Sequence, residues 1–302
     1  MSLYLEYRPK EFDEIHGNKQ VIASIKNMLE QNTFPHAVLF QGPTGCGKTT
    51  LARIVANNLG AVGNDFVEVD SADFRGIDTV RELRKRAQYR PVEGKVRVFL
   101  LDECHKMSND AQNALLKILE DTPKHVYFIL ATTEPYKLLD TIKGRTTIFE
   151  VSLLNDTEMF KLLRKVVKAE NERLQKVVYE QIIQDSLGHP RNALQILEKV
   201  LNVPDEERLE IAKQTAEQQS QSIELCRALI DGSPWKKISR ILKGLKKEDP
   251  ENIRRHVLGY AQAVLLNSKN DRAAVVIDEF SDYFYSGGFA RLVLAAYTIV
   301  KQ

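Results

Sequence analysis

One loop constrains the fold of this chain more than any other feature of its sequence. Residues 42–49, Gly-Pro-Thr-Gly-Cys-Gly-Lys-Thr, match the phosphate-loop pattern G-x-x-x-x-G-K-[ST] at every fixed position. The apolar run 37–40 before the loop predicts a buried strand, and apolar residues at helical spacing over 51–59 predict a helix after it. A strand, a glycine-rich turn and a helix in this order predict an α/β fold with a phosphate-binding loop.

The loop also predicts a set of nucleotide contacts. Glycines allow backbone N–H groups to curl around phosphates, and the N-terminus of the following helix adds positive potential. Lys48 would reach the β- and γ-phosphates of ATP, and Thr49 would bind Mg²⁺. We therefore expect a nucleotide-binding segment that comprises Gly42, Pro43, Thr44, Gly45, Cys46, Gly47, Lys48, Thr49 and Thr50.

A second apolar run, 96–101, ends in two carboxylates, Asp102 and Glu103. Ligands bind at the carboxyl ends of parallel strands, so this pair is expected beside the phosphate loop. Asp102 would help to hold Mg²⁺, and Glu103 would orient the attacking water, which predicts an ATPase.

The letters Asp-Glu-Cys-His also spell a helicase box. Such helicases need a second α/β motor domain, so His105 is interpreted as a surface or supporting residue.

Hydrophobic patterning divides the chain into an α/β half and a helical half. Strands are predicted at 66–69, 126–131 and 148–151, in alternation with helices, which indicates a parallel sheet covered on both faces. From residue 155 onward the pattern predicts helices, with breaks near 202–205, 231–234, 249–250 and 286–288. The predicted domains are 1–151, 152–203 and 204–302.

Composition excludes several classes of protein. No apolar run approaches the ~18 residues of a membrane helix, and the first ten residues have no secretory apolar region. The three cysteines form no C-x-x-C pair, which is typical of a reducing, cytoplasmic location. The net charge of +2 does not by itself predict a nucleic-acid partner, and only local basic clusters could indicate one. The clusters at 235–237 and 246–247 are either DNA-facing or solvated, and the solvated interpretation is favoured.

With these residues placed, the chain resembles the clamp-loader branch of the AAA+ ATPases, in particular the bacterial DNA polymerase III gamma/tau subunit and the small subunits of replication factor C. The resemblance is dense over 4–200 and weak over 205–302. It implies an AAA+ α/β domain over 1–151, a helical lid over 152–203 and an all-α collar over 204–302. Gamma/tau carries a four-cysteine zinc module where residues 57–65 here are short and lack cysteine. This difference favours the build of replication factor C or of a phage-type loader.

The resemblance assigns further nucleotide contacts. The opening Tyr7-Arg8-Pro9 is similar to the segment that covers the adenine base in this family. The pair Thr132-Thr133 resembles sensor 1, which detects the γ-phosphate. Thr133 is the better match to the family spacing, and Thr132 stays an alternative.

Two arginines match family positions that act on ATP. Arg145 stands where the family has a finger that reaches the ATP of the neighbouring subunit, although Gly144 and Thr146 replace the usual serine and cysteine. Arg191 resembles sensor 2 of the lid, which would contact the γ-phosphate in the same chain. The pair between Gly188 and Arg191 differs from the usual one.

The resemblance implies sequence-independent contact with DNA. Arg75 would touch template phosphate and hold Glu103 inactive until DNA arrives, and Lys106 is a second candidate. The implied function is ATP-dependent loading of a sliding clamp onto primer–template DNA, in a homo- or hetero-oligomer with other loader subunits. The implied location is the cytoplasm, or the host cytoplasm for a phage protein.

Three alternatives remain. The first is another AAA+ remodeller, such as a helicase loader or a branch-migration motor. The second is a structural subunit that binds nucleotide without turning it over, and the third is a small-molecule P-loop kinase. The intact lysine and acidic pair count against a structural subunit, and the Tyr-Arg-Pro opening counts against a branch-migration motor.

Overall fold

A computed structural model of the chain describes residues 2–70, 76–219, 221–267, 270–284 and 287–301. The chain divides into two compact units. The first, here called the α/β unit, comprises Tyr4–Glu158 and His189–Arg191. The second, the helical unit, comprises Met159–Gly188, Asn192–Gln302 and the first three residues.

The α/β unit contains a parallel sheet whose strands match the five predicted runs. Their order across the sheet is β2-β3-β4-β1-β5. Strand β1 therefore lies between the central strand β4 and the edge strand β5, and the loop that follows it emerges at the carboxyl edge of the sheet. The strands are β1 Ala37–Gln41, β2 Phe66–Asp70, β3 Arg97–Asp102, β4 Val126–Thr132 and β5 Thr147–Glu150.

Alternate residues of the strands build two apolar cores, one on each face of the sheet. Val38, Phe40 and Leu100 belong to one core, and Leu39 and Phe99 belong to the other. Because both faces are covered, the interiors of β1, β3 and β4 are apolar instead of alternating with polar residues.

Helices flank this sheet on both faces. Lys19–Glu30 and Lys48–Leu59 contribute to the first core, and Ile77–Ala87 and Asn109–Glu120 contribute to the second. In chain order the helices of the α/β unit are α1 Leu3–Glu6, α2 Lys19–Glu30, α3 Lys48–Leu59, α4 Ile77–Ala87, α5 Asn109–Glu120 and α6 Asp140–Lys143. The Ser108 side chain caps α5 by accepting a hydrogen bond from the Ala111 N–H.

A buried carboxylate fixes the turn between α4 and β3. Asp65 accepts hydrogen bonds from the backbone N–H groups of Val92, Glu93 and Gly94 at 2.7–3.0 Å. It also pairs with the Arg97 guanidinium at 2.8 Å, and its side chain is fully buried. Burial alone would raise the pKa of Asp65, but the three N–H groups and Arg97 outweigh it and hold the pKa well below its usual range.

The helical unit contains no strand among its described residues. Its helices are α7 Asp156–Ala169, which begins three residues before the unit, α8 Lys176–Ser186, α9 Pro190–Leu201, α10 Arg208–Gln219, α11 Gln221–Ile230, α12 Trp235–Gly244, α13 Pro250–Asn267, α14 Asp271–Phe280 and α15 Gly288–Lys301. In the part of the chain that the structure describes, no helix is long and apolar enough to cross a membrane.

One guanidinium joins four of these helices. Arg227 of α11 pairs with Asp185 of α8 at 2.5 Å, and it donates to the Lys213 carbonyl of α10 at 2.6 Å. It also donates to the Tyr260 hydroxyl of α13 at 3.3 Å. Helices from the predicted lid and the predicted collar thus pack in one unit, and the boundary between lid and collar at residue 203 stays a prediction.

Candidate nucleotide-binding site

The phosphate loop leaves the carboxyl end of β1 and enters α3 through glycines that no other residue replaces easily. Gly45 and Gly47 have φ of +71° and +109°, in the left-handed region that favours glycine. A Cβ atom at Gly42 would lie 2.0 Å from the backbone oxygen of Val151. The fixed glycines of the motif are therefore required by backbone geometry, as the sequence pattern implies.

The backbone of Lys48 lies at the end of the phosphate loop, and its side chain folds back into the loop. Its Nζ donates to the carbonyl oxygens of Gly42 and Pro43, both at 2.8 Å, and the residue is 5% exposed. The ammonium group is thus held at the centre of the loop. A bound phosphate group would replace the two carbonyls as its hydrogen-bond partner. This position fits the role expected of Lys48.

Thr49 and Asp102 come together from neighbouring parts of the sheet edge. The Thr49 hydroxyl donates to Asp102 Oδ2 at 2.7 Å. A hydroxyl and a carboxylate are the oxygen ligands that Mg²⁺ prefers when it also binds phosphates. No group of three or more His, Cys, Asp or Glu side chains that could hold a metal occurs among the described residues. Two ligands suffice for Mg²⁺, because substrate oxygens and water complete its shell.

Glu103 is held in an uncommon backbone conformation. Its φ of +49° and ψ of +40° are left-handed, which costs a non-glycine residue about 1–3 kcal/mol. The Glu103 N–H donates to Asp102 Oδ1 at 3.0 Å, and the Thr133 hydroxyl donates to Glu103 Oε2 at 3.2 Å. This turn directs the carboxylate of Glu103 toward the end of β4 instead of along its own strand.

The two candidate sensor threonines have different surroundings. Thr132 is fully buried, and its hydroxyl oxygen accepts from the Glu134 N–H at 3.0 Å and lies 3.0 Å from His105 Nδ1. Thr133 is half-buried and contacts Glu103. Because the Thr132 hydroxyl serves the turn and Thr133 meets the carboxylate, the geometry favours Thr133 as the sensor.

His105 lies between two carboxylates beside this turn. Its side chain is 7% exposed, with Nδ1 3.4 Å from Glu103 Oε2 and Nε2 3.4 Å from Glu134 Oε2. Burial lowers the pKa of His105, although both carboxylates act in the opposite direction. The imidazole lies within reach of both carboxylates, so it supports Glu103 and the end of β4.

Two further cations lie close to the loop. The Arg8 Nε donates to the Thr50 hydroxyl at 3.0 Å, and Tyr7 and Pro9 on either side of it are half-buried. Arg191 lies beside the loop, with its Cβ 3.8 Å from the position a Cβ on Gly45 would take. Burial lowers the pKa of Arg8, and the neighbouring positive charges of Arg53 and Arg191 add to this effect.

His189, two residues before Arg191, makes a contact that sequence reasoning missed. Its Nδ1 lies 2.7 Å from the Thr44 carbonyl oxygen, and since a carbonyl only accepts, Nδ1 carries the hydrogen. The departure from the family pattern between Gly188 and Arg191 was the one available signal. The imidazole thus binds the middle of the phosphate loop.

Arg145 is held by Glu120 and by the Thr141 carbonyl, and not by the phosphate loop. It donates to Glu120, the last residue of α5, through both Nε (2.9 Å) and Nη2, and to the Thr141 carbonyl through Nη1 at 3.1 Å. The Thr146 hydroxyl instead donates to the Ile142 carbonyl at 3.1 Å. Within the described residues no hydrogen bond or ion pair joins Arg145 to the phosphate loop. Glu120 therefore fixes the orientation of the Arg145 guanidinium.

The two DNA candidates differ in what the structure shows. Arg75 lies outside the described residues. Lys106 is exposed at the end of the single 3-10 turn Cys104–Lys106 that follows Glu103.

Known proteins are similar to this chain in sequence. A family model described as DNA polymerase III, delta subunit, matches residues 63–155. The DNA polymerase III gamma/tau subunit of Mycobacterium tuberculosis is 40% identical over a 224-residue alignment, which covers 67% of this chain and 39% of that protein. The tau subunit of Bacillus subtilis is 32% identical, with 67% and 39% covered. The gamma subunit of Buchnera aphidicola from Acyrthosiphon pisum is 31% identical, with 66% and 61% covered.

The chain is a homologue of bacterial DNA polymerase III gamma/tau subunits. This gamma/tau homologue spans about two fifths of the length of its mycobacterial and Bacillus relatives. The predicted resemblance to gamma/tau is confirmed.

Solved structures confirm the fold. The Holliday junction branch migration motor RuvB of Thermotoga maritima matches with a TM-score of 0.60 at 21% identity, over 74% of this chain and 79% of that one. At this identity the match shows the AAA+ fold alone. The α/β AAA+ fold followed by helices, which the sequence predicts, is confirmed.

Proposed function

We propose that this chain is an ATP-hydrolysing motor subunit that loads a sliding clamp onto primer–template DNA during replication in the cytoplasm. The observation that carries the proposal is the meeting of the phosphate loop, the Thr49–Asp102 pair and the Glu103–Thr133 pair at one edge of the sheet. The gamma/tau relatives support clamp loading as the use of this ATPase.

Each residue has a role that follows from its position. The N–H groups of 42–47 and the Lys48 ammonium bind the phosphates, while Thr49 and Asp102 bind Mg²⁺, which would neutralise charge on the phosphate oxygens. Glu103 accepts a hydrogen bond from the attacking water, and Thr133 keeps its carboxylate in place. Arg8 and Arg191 add positive charge beside the loop, and Tyr7 and Pro9 form the adenine side in our proposal.

Arg145 completes the site of a neighbouring subunit. It is about one-third exposed and fixed by Glu120, so its guanidinium is pre-oriented at the surface. An arginine supplied in this way is worth about 10³-fold or more in rate. The chain then needs other subunits, identical or different, to hydrolyse ATP, together with a clamp and DNA as partners. Lys106 remains a proposed DNA contact.

A branch-migration motor is the second candidate, because RuvB shares the fold. The gamma/tau relatives favour clamp loading over this candidate.

The test is the steady-state ATPase rate of the full chain, alone and with primer–template DNA and the sliding clamp of its own replication system. We expect the rate to rise with both ligands. Arg145→Ala is expected to lower the stimulated rate by about 10³-fold while ATP binding persists.

Arg291→Ala is the matched control. Arg291 is a similarly exposed arginine that pairs with Asp282 in the helical unit, and loss of such a surface pair is worth about 1 kcal/mol or less. The control is expected to keep the wild-type rate. A rate that ignores DNA and clamp, or that survives the loss of Arg145, would sink the proposal.

A further inference from the structure

Helix α12 and the turn after it carry the densest uninterrupted positive charge of the helical unit. Between Asp231 and Glu248 there are six basic residues and no acidic one, whereas the whole chain has a net charge of only +2. The six are Lys236, Lys237, Arg240, Lys243, Lys246 and Lys247. All of them except Lys247, whose side chain lies outside the described ones, are exposed. The ATPase site makes no use of this charge.

The basic residues form a stripe opposite a buried apolar stripe. At 100° per residue, Lys236, Arg240 and Lys243 fall within an arc of about 60°. The opposite face consists of Ile238, Ile241, Leu242 and Leu245, all at most 4% exposed. A basic amphipathic helix that binds membranes inserts its apolar face. Here that face is already packed in the helical unit, so only the charged face is available to a partner.

The stripe has no internal partners. Within the described residues, no ion pair joins Lys236, Lys237, Arg240, Lys243 or Lys246 to an acidic group. Acidic residues flank the segment only at its two ends, in Asp231 and the Glu248-Asp249 pair. Solvated basic stretches on helices usually alternate with acidic residues, which lowers their mutual repulsion. In this segment no acidic residue lowers the repulsion between the basic side chains, so an anionic partner would have to do so.

The end of α15 extends the positive surface and adds aromatic rings. Trp235 meets Tyr297 edge-to-face with ring centroids 5.0 Å apart, and Lys301 Nζ lies 5.1 Å from the centre of the Tyr297 ring. Tyr297 is 38% exposed. Basic residues beside an exposed aromatic ring are the combination that binds nucleic-acid strands through phosphates and base faces.

We propose that the α12 stripe, defined as Lys236, Arg240 and Lys243, binds the phosphate backbone of a nucleic-acid strand. Its three cations lie on an eight-residue segment that is about 10 Å long along the helix, which matches about three consecutive phosphates of one strand. Such contacts give affinity without sequence specificity. The surface belongs to the helical unit and requires no nucleotide, so the inference goes beyond the proposed ATPase function and stands or falls separately from it.

The test measures binding of the full chain to a fluorescently labelled oligonucleotide, single-stranded and duplex, by anisotropy at several salt concentrations without ATP. The variant Lys236→Gln, Arg240→Gln, Lys243→Gln is expected to raise Kd about tenfold. It should also reduce the slope of log K against log salt by about two to three, since each phosphate contact contributes about 0.7 to 0.9. Unchanged ATP binding and thermal melting would show that the fold is intact.

Two controls separate local contact from general charge. Lys161→Gln, Lys165→Gln, Lys168→Gln removes three exposed lysines with the same spacing from α7, and it is expected to leave Kd within about twofold. Lys236→Arg, Arg240→Lys, Lys243→Arg keeps the charge and is expected to keep the affinity. Equal losses from the α7 and α12 variants, or an unchanged slope in the α12 variant, would overturn the proposal. Competition by polyglutamate at equal charge would assign the surface to acidic proteins instead.

Discussion

His189 shows how a single side chain ties the start of α9 to the phosphate loop. Its Nδ1–H donates to the Thr44 carbonyl, and the amide nitrogen of asparagine occupies nearly the same place as Nδ1, whereas that of glutamine mimics Nε2. We expect His189→Gln to raise the Kd of ATP and ADP about two- to tenfold, the equivalent of one neutral hydrogen bond. His189→Asn is expected to keep Kd within twofold.

The measurement is calorimetric titration of both variants with ATP and with ADP. Equal losses in both variants would mean that the whole imidazole ring, and not its Nδ1–H, supports the loop. Equal affinity in both would mean that the Thr44 carbonyl needs no such donor.

Local motifs predict the residues of the site that act on phosphate, and they miss the residues that position them. Lys48, Thr49, Asp102 and Glu103 are recognisable because chemistry and backbone geometry fix their spacing within a short segment. The contacts of His189 with Thr44, and of Glu120 with Arg145, join residues 145 and 25 positions apart. Only the packing of the sheet and its helices brings these pairs together, so no pattern along the sequence reveals them.

At the scale of elements, the contacts of Asp65 with the backbone of the turn 92–94 and with Arg97 determine how this turn meets β3. These contacts are called the Asp65 cluster below. Asp65→Asn would leave the buried Arg97 guanidinium without its counter-charge, and we expect a loss of about 3–5 kcal/mol in the free energy of unfolding. Denaturant unfolding measures this loss. Asp78→Asn, which removes one carboxylate of the exposed pair with Arg81, is the matched control and is expected to cost less than about 1 kcal/mol.

The same cluster predicts a pH dependence. The folded state lowers the pKa of Asp65, so its stabilisation is fully present above the unfolded pKa of about 3.9 and is lost as the pH falls below that value. The stability difference between the native chain and Asp65→Asn should therefore shrink only below about pH 4. A difference that shrinks already between pH 7 and 5 would contradict this assignment.

Element type and position were accessible from the sequence, and element packing was not. Apolar runs located β1, β3 and β4, whose interiors are covered on both faces, and the shorter patterns at 66–69 and 148–151 located β2 and β5. Pro250 and Gly288 mark the starts of α13 and α15. The strand order β2-β3-β4-β1-β5 and the Arg227 junction of α8, α10, α11 and α13 depend on contacts between distant segments. Periodicity carries no information about which buried faces meet.

At the scale of the whole molecule, an arginine finger that acts on the ATP of a neighbouring subunit makes ATP hydrolysis depend on the assembled oligomer. Lys48→Ala should abolish phosphate binding yet leave Arg145 available, whereas Arg145→Ala should bind ATP yet lack the finger. Each variant alone is expected to be inactive. In a random 1:1 mixture, about a quarter of the interfaces in a closed ring join an Arg145→Ala site to a Lys48→Ala finger. The mixture should therefore regain about a quarter of the wild-type ATPase rate.

Native mass spectrometry of the same mixture tells whether the two variants share one assembly, so that the rate can be interpreted. Recovery in mixed assemblies requires that the finger and the phosphate loop of one active site come from different chains. Mixed assemblies without recovery would show that Arg145 serves its own chain, in which case Glu120 must release it before ATP hydrolysis. The half-exposed pair with Glu120 favours the first outcome, because a guanidinium already fixed at the surface by one carboxylate needs only a neighbour's phosphate to complete its contacts.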